Sequence, residues 1–196
     1  LADSLEQQRA TGDILRAISA SPGDLTAVLG TVAATPSRLC DAANVSVYQI
    51  DGDVMHKVAG YGPELTVVPV GGTRKVTRGS VSGRAILDRT TIRVRDQQAP
   101  DVRPEFPDGA RQDTGIHTTV GIPLLRNGSA IGGFTVYRTE PRPFSDAEIA
   151  VLQVFADQAV NAIENARLFN ETKQALGQQT ATADILKLIA LSPTDV

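Results

Sequence analysis

The residues able to do chemistry are few, and their spacing matches no catalytic pattern. HExxH, DxDxDG, GxSxG and P-loop lysine motifs are absent, and the two histidines, His56 and His117, have no placed carboxylate or nucleophile beside them. An imidazole needs a partner that orients it before it can move a proton, so no catalytic residue is assigned. His117 stands at the start of a strand-like run and is read as an ordinary polar residue rather than a haem or metal ligand; no metal site is assigned. The one cysteine, Cys40, excludes an intramolecular disulfide and a cysteine-based zinc cluster. With Leu39 and Ala42 around it and Arg38 as its basic neighbour, it reads as a packed thiol in a reducing compartment.

Charge is more informative than motif. Residues 74–113 hold nine of the chain's 19 basic side chains, a local +3 in a chain of formal charge −3. Within that stretch, Gly79-Ser80-Val81-Ser82-Gly83-Arg84 leads into a short helix. Free backbone N–H groups, two hydroxyls and a guanidinium at the positive end of a helix dipole are the parts of an anion site. Ser80, Ser82 and Arg84 are therefore candidate anchors for an anionic or strongly hydrogen-bonding small molecule, with Tyr61, His117 and Thr119 as candidate walls. Two plainer readings stand beside this one: a serine serving as helix cap, and arginines forming a solvated rim.

The elements that must position these residues follow from composition and period. The chain has 196 residues, 41% of them apolar, enough for one domain with a sizeable core and some extra length. The near-neutral balance gives no global reason to expect nucleic acid or a membrane as partner. No run of about 18 apolar residues occurs, and the first residues lack the basic and apolar regions of a signal peptide. A cytoplasmic location is expected. Because the chain opens on Leu1, it is also expected to be a piece of a longer protein.

A repeat sets the organisation. Residues 6–25 align without a gap on residues 177–196, and 11 of the 20 positions are identical, including Gln7 with Gln178, Asp13 with Asp184, and Ser21-Pro22 with Ser192-Pro193. A domain-sized offset of 171 residues implies tandem copies of one domain. The expected division is a leading helix over 1–20, a domain over 21–172, and over 173–196 a linker helix with the start of a second copy. Ser21, Pro22 and Asp24 are helix-start residues, so one helix ends before Ser21 and another begins there.

Leu25, Val28, Leu29, Val32 and Leu39 give that second helix its apolar stripe, which Pro36 is expected to kink or break. Asp51-Gly52 and Arg126-Asn127-Gly128 each separate two strand-like runs and predict hairpins. Pro123, in the second of them, should sit at an edge-like or bulged position. Ser82 to Asp88 reads as a short helix, Thr91 to Val94 as a strand, and 95–116 as a long loop. From Ser145, a capping box Ser145-Asp146-Ala147-Glu148 with Phe144 as staple starts a helix expected to end near Leu176. Its apolar residues lie on two sides: Ile149, Leu152, Ala156, Ala159 and Ile163 on one, and Val151, Phe155, Ala162, Phe169 and Leu176 around another. Two apolar sides need two burial partners. Leu5, Ile14, Ile18, Ala162, Phe169 and Leu176 are accordingly expected to pair the terminal helices of a homodimer.

Residues 117–172, HTTVGIPLLRNGSAIGGFTVYRTEPRPFSDAEIAVLQVFADQAVNAIENARLFNET, closely resemble the C-terminal half of bacterial GAF domains, and GSVSGRAILDRTTIRV, residues 79–94, resembles their central helix and strand. The resemblance implies an α+β fold: a six-stranded antiparallel sheet with terminal helices on one face and short central helices over a small-molecule pocket on the other. It implies a sensory, non-catalytic module attached to an output domain such as a histidine kinase or nucleotide cyclase. The cofactor stays open. Cys40 precedes the first strand, whereas bilin-binding GAF domains attach their chromophore through a central cysteine, so a covalent bilin is not expected. A single cysteine also departs from the several that free methionine sulfoxide reductases use on this fold. The Asn-Lys-Phe-Asp-Glu signature of cyclic-nucleotide-binding members is not found.

Overall fold

The computed structural model describes residues 25–63, 68–109 and 114–191, with the backbone alone at 184–186 and 188–191. The leading helix and its Leu5, Ile14 and Ile18 lie outside the described residues.

Two hairpins frame the sheet. β1 (Asn44–Asp51) and β2 (Val54–Tyr61) reverse through Gly52-Asp53, so Asp51 pairs with Val54 and the turn falls one residue later than the Asp51-Gly52 pair would place it. β5 (Thr118–Arg126) and β6 (Ser129–Arg138) reverse on Asn127 and Gly128, whose φ angles of 49° and 77° are what a type I′ turn demands. β1 then pairs with β6, and the short strands β3 (Thr73–Lys75) and β4 (Ile92–Val94) complete the order β3-β2-β1-β6-β5-β4, every pair antiparallel. β3 is a strand that sequence patterning missed, because its Arg74 and Lys75 register as charge. Pro123 lies beyond the reach of β4, whose pairing stops at Gly121, and the β5–β6 register slips just after it, between Leu124 and Leu125. Its missing N–H is tolerated there.

Helices α1 (Leu25–Leu39) and α3 (Asp146–Leu191) pack on one face of the sheet. Their core joins Leu29 and Val32 of α1, Val45 and Val47 of β1, Val120, Ile122 and Leu124 of β5, Phe134 and Val136 of β6, and Leu152, Phe155, Ala159 and Ile163 of α3. Pro36 does not break α1. It falls in the last turn, where one lost hydrogen bond is cheap, and Cys40 N still closes on Pro36 O at 3.0 Å.

The start of α3 is fixed as its sequence predicts. Ser145 N donates to Glu148 Oε2 at 2.7 Å, Glu148 N donates to Ser145 Oγ at 3.3 Å, and Phe144 and Ile149 are both buried in the core. Its end is not as expected. The helix continues past Leu176 to Leu191, 46 residues or about 69 Å at 1.5 Å each. Thr172, Thr180 and Thr182 hydroxyls bond back to carbonyls four residues earlier along this stretch, and the sequence supplies no proline before Pro193.

Ala162 needs a correction: it is 3% exposed within the chain's own core and cannot face a partner. The reason is local. The helix rides on the sheet as far as Ala166, so the second apolar side opens to solvent only beyond it, at Leu168, Phe169 and Leu176, which are 50%, 43% and 63% exposed. No helix among the described residues is long and apolar enough to cross a membrane.

Arg138, at the end of β6 and 2% exposed, locks the helical face together. It donates to Asp41 O at 3.2 Å, Arg142 O at 3.0 Å, Pro143 O at 3.2 Å and Cys40 O at 2.5 Å, pairs with Glu148, and stacks on Phe144 at 3.8 Å. Burying a guanidinium is costly unless its donors are met, and here four carbonyls and a carboxylate meet them.

Candidate functional site

The opposite face of the sheet carries α2 (Val81–Asp88). Ser80 Oγ caps it by accepting from Gly83 N at 3.1 Å. The helix sits close because β5 offers bare backbone beneath it: a Cβ on Gly121 would meet Val81 O at 2.9 Å.

Strand alternation decides what lies under this cover. Val45, Val47, Phe134 and Val136 point at α1 and α3, so Ser46, Tyr48, Thr135 and Tyr137 point the other way. All four are buried: Ser46 and Thr135 are 0% and 1% exposed, and Tyr48 and Tyr137 are 1% and 8%. Ser46 is the register partner of both Thr135 and Gly60, Tyr48 that of Lys57, and Tyr137 that of Thr119. The result is a dry cluster of hydroxyls beside a buried lysine ammonium. The Tyr48 and Tyr137 hydroxyls pair with each other. Burial pushes both phenols up, Tyr137 the further, with the neighbouring tyrosine adding to the rise and Arg74 opposing it. For Tyr48, burial again leads, opposed by the Ser46 and Tyr137 hydroxyls and Arg74. Both therefore stay protonated and able to donate. Thr135 Oγ1 completes no hydrogen bond.

An apolar group of Tyr48, Met55 and Ile86 separates this cluster from an open cavity of about 410 Å³ at the far end of α2. The cavity is bounded by Ile50, Val76, Ile86 and Leu87 with Asp53, Arg89 and Ser129 at its rim.

The sequence-selected residues are placed as follows. Thr119 is fully buried at the cluster's edge, where its Oγ1 accepts from Gln97 Nε2. Ser82 is buried in the first turn of α2. Ser80 serves as the cap. Tyr61 ends β2 at 43% exposure, away from the others. His117 lies outside the cluster with its Nδ1 2.8 Å from Asp96 Oδ1. Asp96 is held below the usual carboxylate range: burial pushes it up, but the Gln98 N–H and His117 outweigh that. Arg84 is engaged by its own chain: Nε donates to Arg78 O at 3.0 Å, an Nη donates to Glu105 O at 2.5 Å, and the guanidinium stacks on Phe106 at 4.0 Å.

Other arginines of this stretch make such ties. Arg74 donates to Asp108 O at 2.6 Å, Arg78 grips Asp88 through two bonds, Arg93 meets Asp146 at 2.5 Å and Arg95 meets Asp101 at 2.5 Å. Arg74 fastens the long loop to β3, Arg93 fastens the start of α3 to β4, and Arg78 closes on the last turn of α2. Ser46, Tyr48, Lys57, Thr135 and Tyr137, the residues that do form an interior polar site, escaped sequence reasoning. Their signal was the strand period itself, polar residues alternating with core residues in Val45-Ser46-Val47-Tyr48 and Phe134-Thr135-Val136-Tyr137.

Cys40 is buried against Glu148 O, and its thiol is pushed up to about 11 by burial and the Glu148 charge against Arg138, so it is a packed thiol. Among the described residues, no three of His, Cys, Asp and Glu gather to hold a metal ion.

Solved structures share this architecture. The GAF domain of an Acinetobacter phosphoenolpyruvate-protein phosphotransferase superposes with a TM-score of 0.69 at 15% identity, covering 87% of this chain and 98% of that one. Residues 122 to 287 of a methyl-accepting chemotaxis protein match at 0.62 and 25% identity, covering 84% and 98%. A free methionine-R-sulfoxide reductase from Neisseria meningitidis, in complex with its substrate, matches at 0.62 and 20% identity, covering 79% and 88%. The family model described as GAF domain matches residues 24–163, which span α1, all six strands, α2 and most of the sheet-bound part of α3. The chain belongs to the GAF domain family.

Proposed function

We propose that this chain is a sensory module of a multidomain bacterial signalling protein in the cytoplasm. It takes a small molecule on the α2 face and passes a conformational bias through paired flanking helices to an attached output domain, such as a histidine kinase or nucleotide cyclase. The GAF domain is a regulatory module, and membership of that family supports a non-catalytic reading. The observation that carries the proposal is the division of one sheet into two faces: a polar interior under α2, and an apolar face bearing a helix that leaves the domain with Leu168, Phe169 and Leu176 uncovered. A ligand shifts such a system only by binding one helix arrangement better than another.

In this reading, residues 21–172 are the sensing domain, 1–20 a leading helix and 173–196 the connection to a second copy in a tandem array. The partner for the exposed stripe of α3 is a second copy of the chain, paired in parallel. Light scattering on the purified chain is expected to give a dimer that Phe169→Glu weakens; a monomer at tens of micromolar overturns the pairing. A second reading, a dimerisation module with no ligand, draws on Tyr48, Met55 and Ile86 filling part of the space beneath α2. Native mass spectrometry of the purified protein separates the two, since a retained small molecule is expected only of a sensor.

A further inference from the structure

Resting on the reading of residues 1–20 as a leading helix, we propose that the groove between the start of α1 and the root of α3 is the seat of the chain's own residues 6–20, which lie antiparallel along α3.

The groove is a cavity of about 350 Å³. Leu25, Ile163 and Ala166 give it an apolar floor, and Gln49, Asn170 and Gln174 stand at its edge. α1 and α3 run in opposite directions here. Leu25, the first residue of α1, lies with Ile163 to Gln174, whereas Cys40, just past the end of α1, lies against Glu148 O at 3.8 Å. Extending α1 backwards therefore leads along α3 and away from the sheet. On α3, Ile163, Ala166, Asn170, Gln174, Gly177 and Ala181 recur every three or four residues and form one line. That line ends on Gly177 and Ala181, small residues that let a second helix come close. Phe169 and Leu176 fall on the other side of the helix, so a segment seated in the groove leaves them open to a second copy.

Continuity names the occupant. Leu25 is both a wall of the groove and the residue to which the leading segment is joined, and the four residues from Ser21 to Asp24 reach at most about 14 Å. So short a tether gives the segment an effective concentration on the order of millimolar, which any free partner has to exceed. The repeat supplies the conformation: Ile14, Leu15 and Ile18 recur as Ile185, Leu186 and Ile189, and that copy is helical within α3. Length supplies the fit. As a helix, residues 6–20 extend about 22 Å, the distance along α3 from Ala166 to Ala181. Laid antiparallel from Ser21, Ile18 comes to the Ala166 floor, Ile14 to the level of Asn170 and Gln174, and Ala10 to Gly177. A helix so placed bears on the root of α3, and its own shifts are felt there.

The test is disulfide trapping in the full chain. Ile14→Cys with Gln174→Cys is expected to oxidise to an intrachain bond, read as a monomer band of altered mobility on a non-reducing gel. Ile14→Cys with Thr172→Cys, at nearly the same height but on the opposite side of α3, is expected to be trapped about tenfold less. Cys40 is buried and does not compete. A band of dimer mass from the first pair puts the segment in a second copy's groove and overturns the proposal. So does equal trapping of both pairs, or trapping of neither. Trypsin gives a readout that needs no added cysteine: cleavage after Arg16 is expected to be about tenfold slower in the unaltered chain than in Ile18→Asp. Ile18 precedes α1 and every strand, so that variant keeps the fold, and equal rates overturn the docking. Light scattering on the same samples reads the dimer separately: a monomer that still traps at Gln174 removes the pairing and keeps the seat.

Discussion

The two faces of the sheet are made from the same strands and do opposite things with burial. Toward α1 and α3, every second residue is aliphatic or aromatic, and each buried side chain stabilises the fold through the area it removes from water. Toward α2, the residues in between are equally dry, yet beside Met55 they include the hydroxyls of Ser46, Tyr48, Thr119, Thr135 and Tyr137, the Asn44 amide and Lys57. Excluding water from such groups gains nothing for the fold unless each finds a partner. The first face is therefore where stability resides. The second carries polar chemistry that the fold does not need.

The sharpest way to break this comparison uses neighbouring residues of β6. Phe134→Ala, on the helical face, is expected to cost about 3–5 kcal/mol by urea unfolding, the range for an aromatic lost from a packed core. A cost under about 1 kcal/mol would mean that the helical face does not carry the fold. Ser145→Ala removes the cap of the helix that covers the same face and is expected to cost about 1 kcal/mol. Thr135→Val, one residue from Phe134 but on the other face, is expected to change sign: stability rises by about 1 kcal/mol, because a hydroxyl without a partner is replaced by a methyl of the same shape. A loss there would show that the hydroxyl is satisfied and that the two faces are not so different.

The smallest effect concerns acid. Glu148 is held below its usual value of 4.5, because the Ser145 N–H, Arg138 and the Ser145 hydroxyl outweigh burial, which pushes it up. A depressed carboxylate contributes stability that is complete above its unfolded value and disappears as pH falls through the folded one. Thermal unfolding temperature is thus expected to fall as pH drops below about 4.5, with a shallower slope in Glu148→Gln. An unchanged slope would remove Glu148 from the acid response.

Local chemistry explains what the sequence made legible. The Asn127-Gly128 turn, the capping box at Ser145 and the Ser80 cap each depend on a few adjacent residues, and each is found where adjacency puts it. What was not legible depends on distance. Nothing near Arg138 in sequence says that it will turn inward to the Cys40 and Asp41 carbonyls, nearly 100 residues earlier. The positive stretch from 74 to 113 looked like a ligand site because its partners, Asp88, Glu105, Asp108 and Asp146, are invisible without the fold. The polar interior was hidden for a different reason. A strand with alternating apolar and polar residues ordinarily has one wet face, and Ser46 and Thr135 follow that pattern. Only the descent of α2 onto Gly121 reverses the meaning of the pattern from wet to dry.

The unbroken length of α3 has a mechanical consequence. Some 25 of its residues lie beyond Ala166, an overhang of about 37 Å fixed at one end to the sheet. A rod held in this way amplifies: a tilt of about 5° at the root carries the tip about 3 Å sideways. A rotation of α3 about its own axis, by contrast, moves the tip nowhere and only changes which residues face outward. Displacement and facing are thus separate outputs of one shaft, and both are set by how Leu152, Phe155 and Ile163 seat on the strands whose other side carries Ser46 and Thr135.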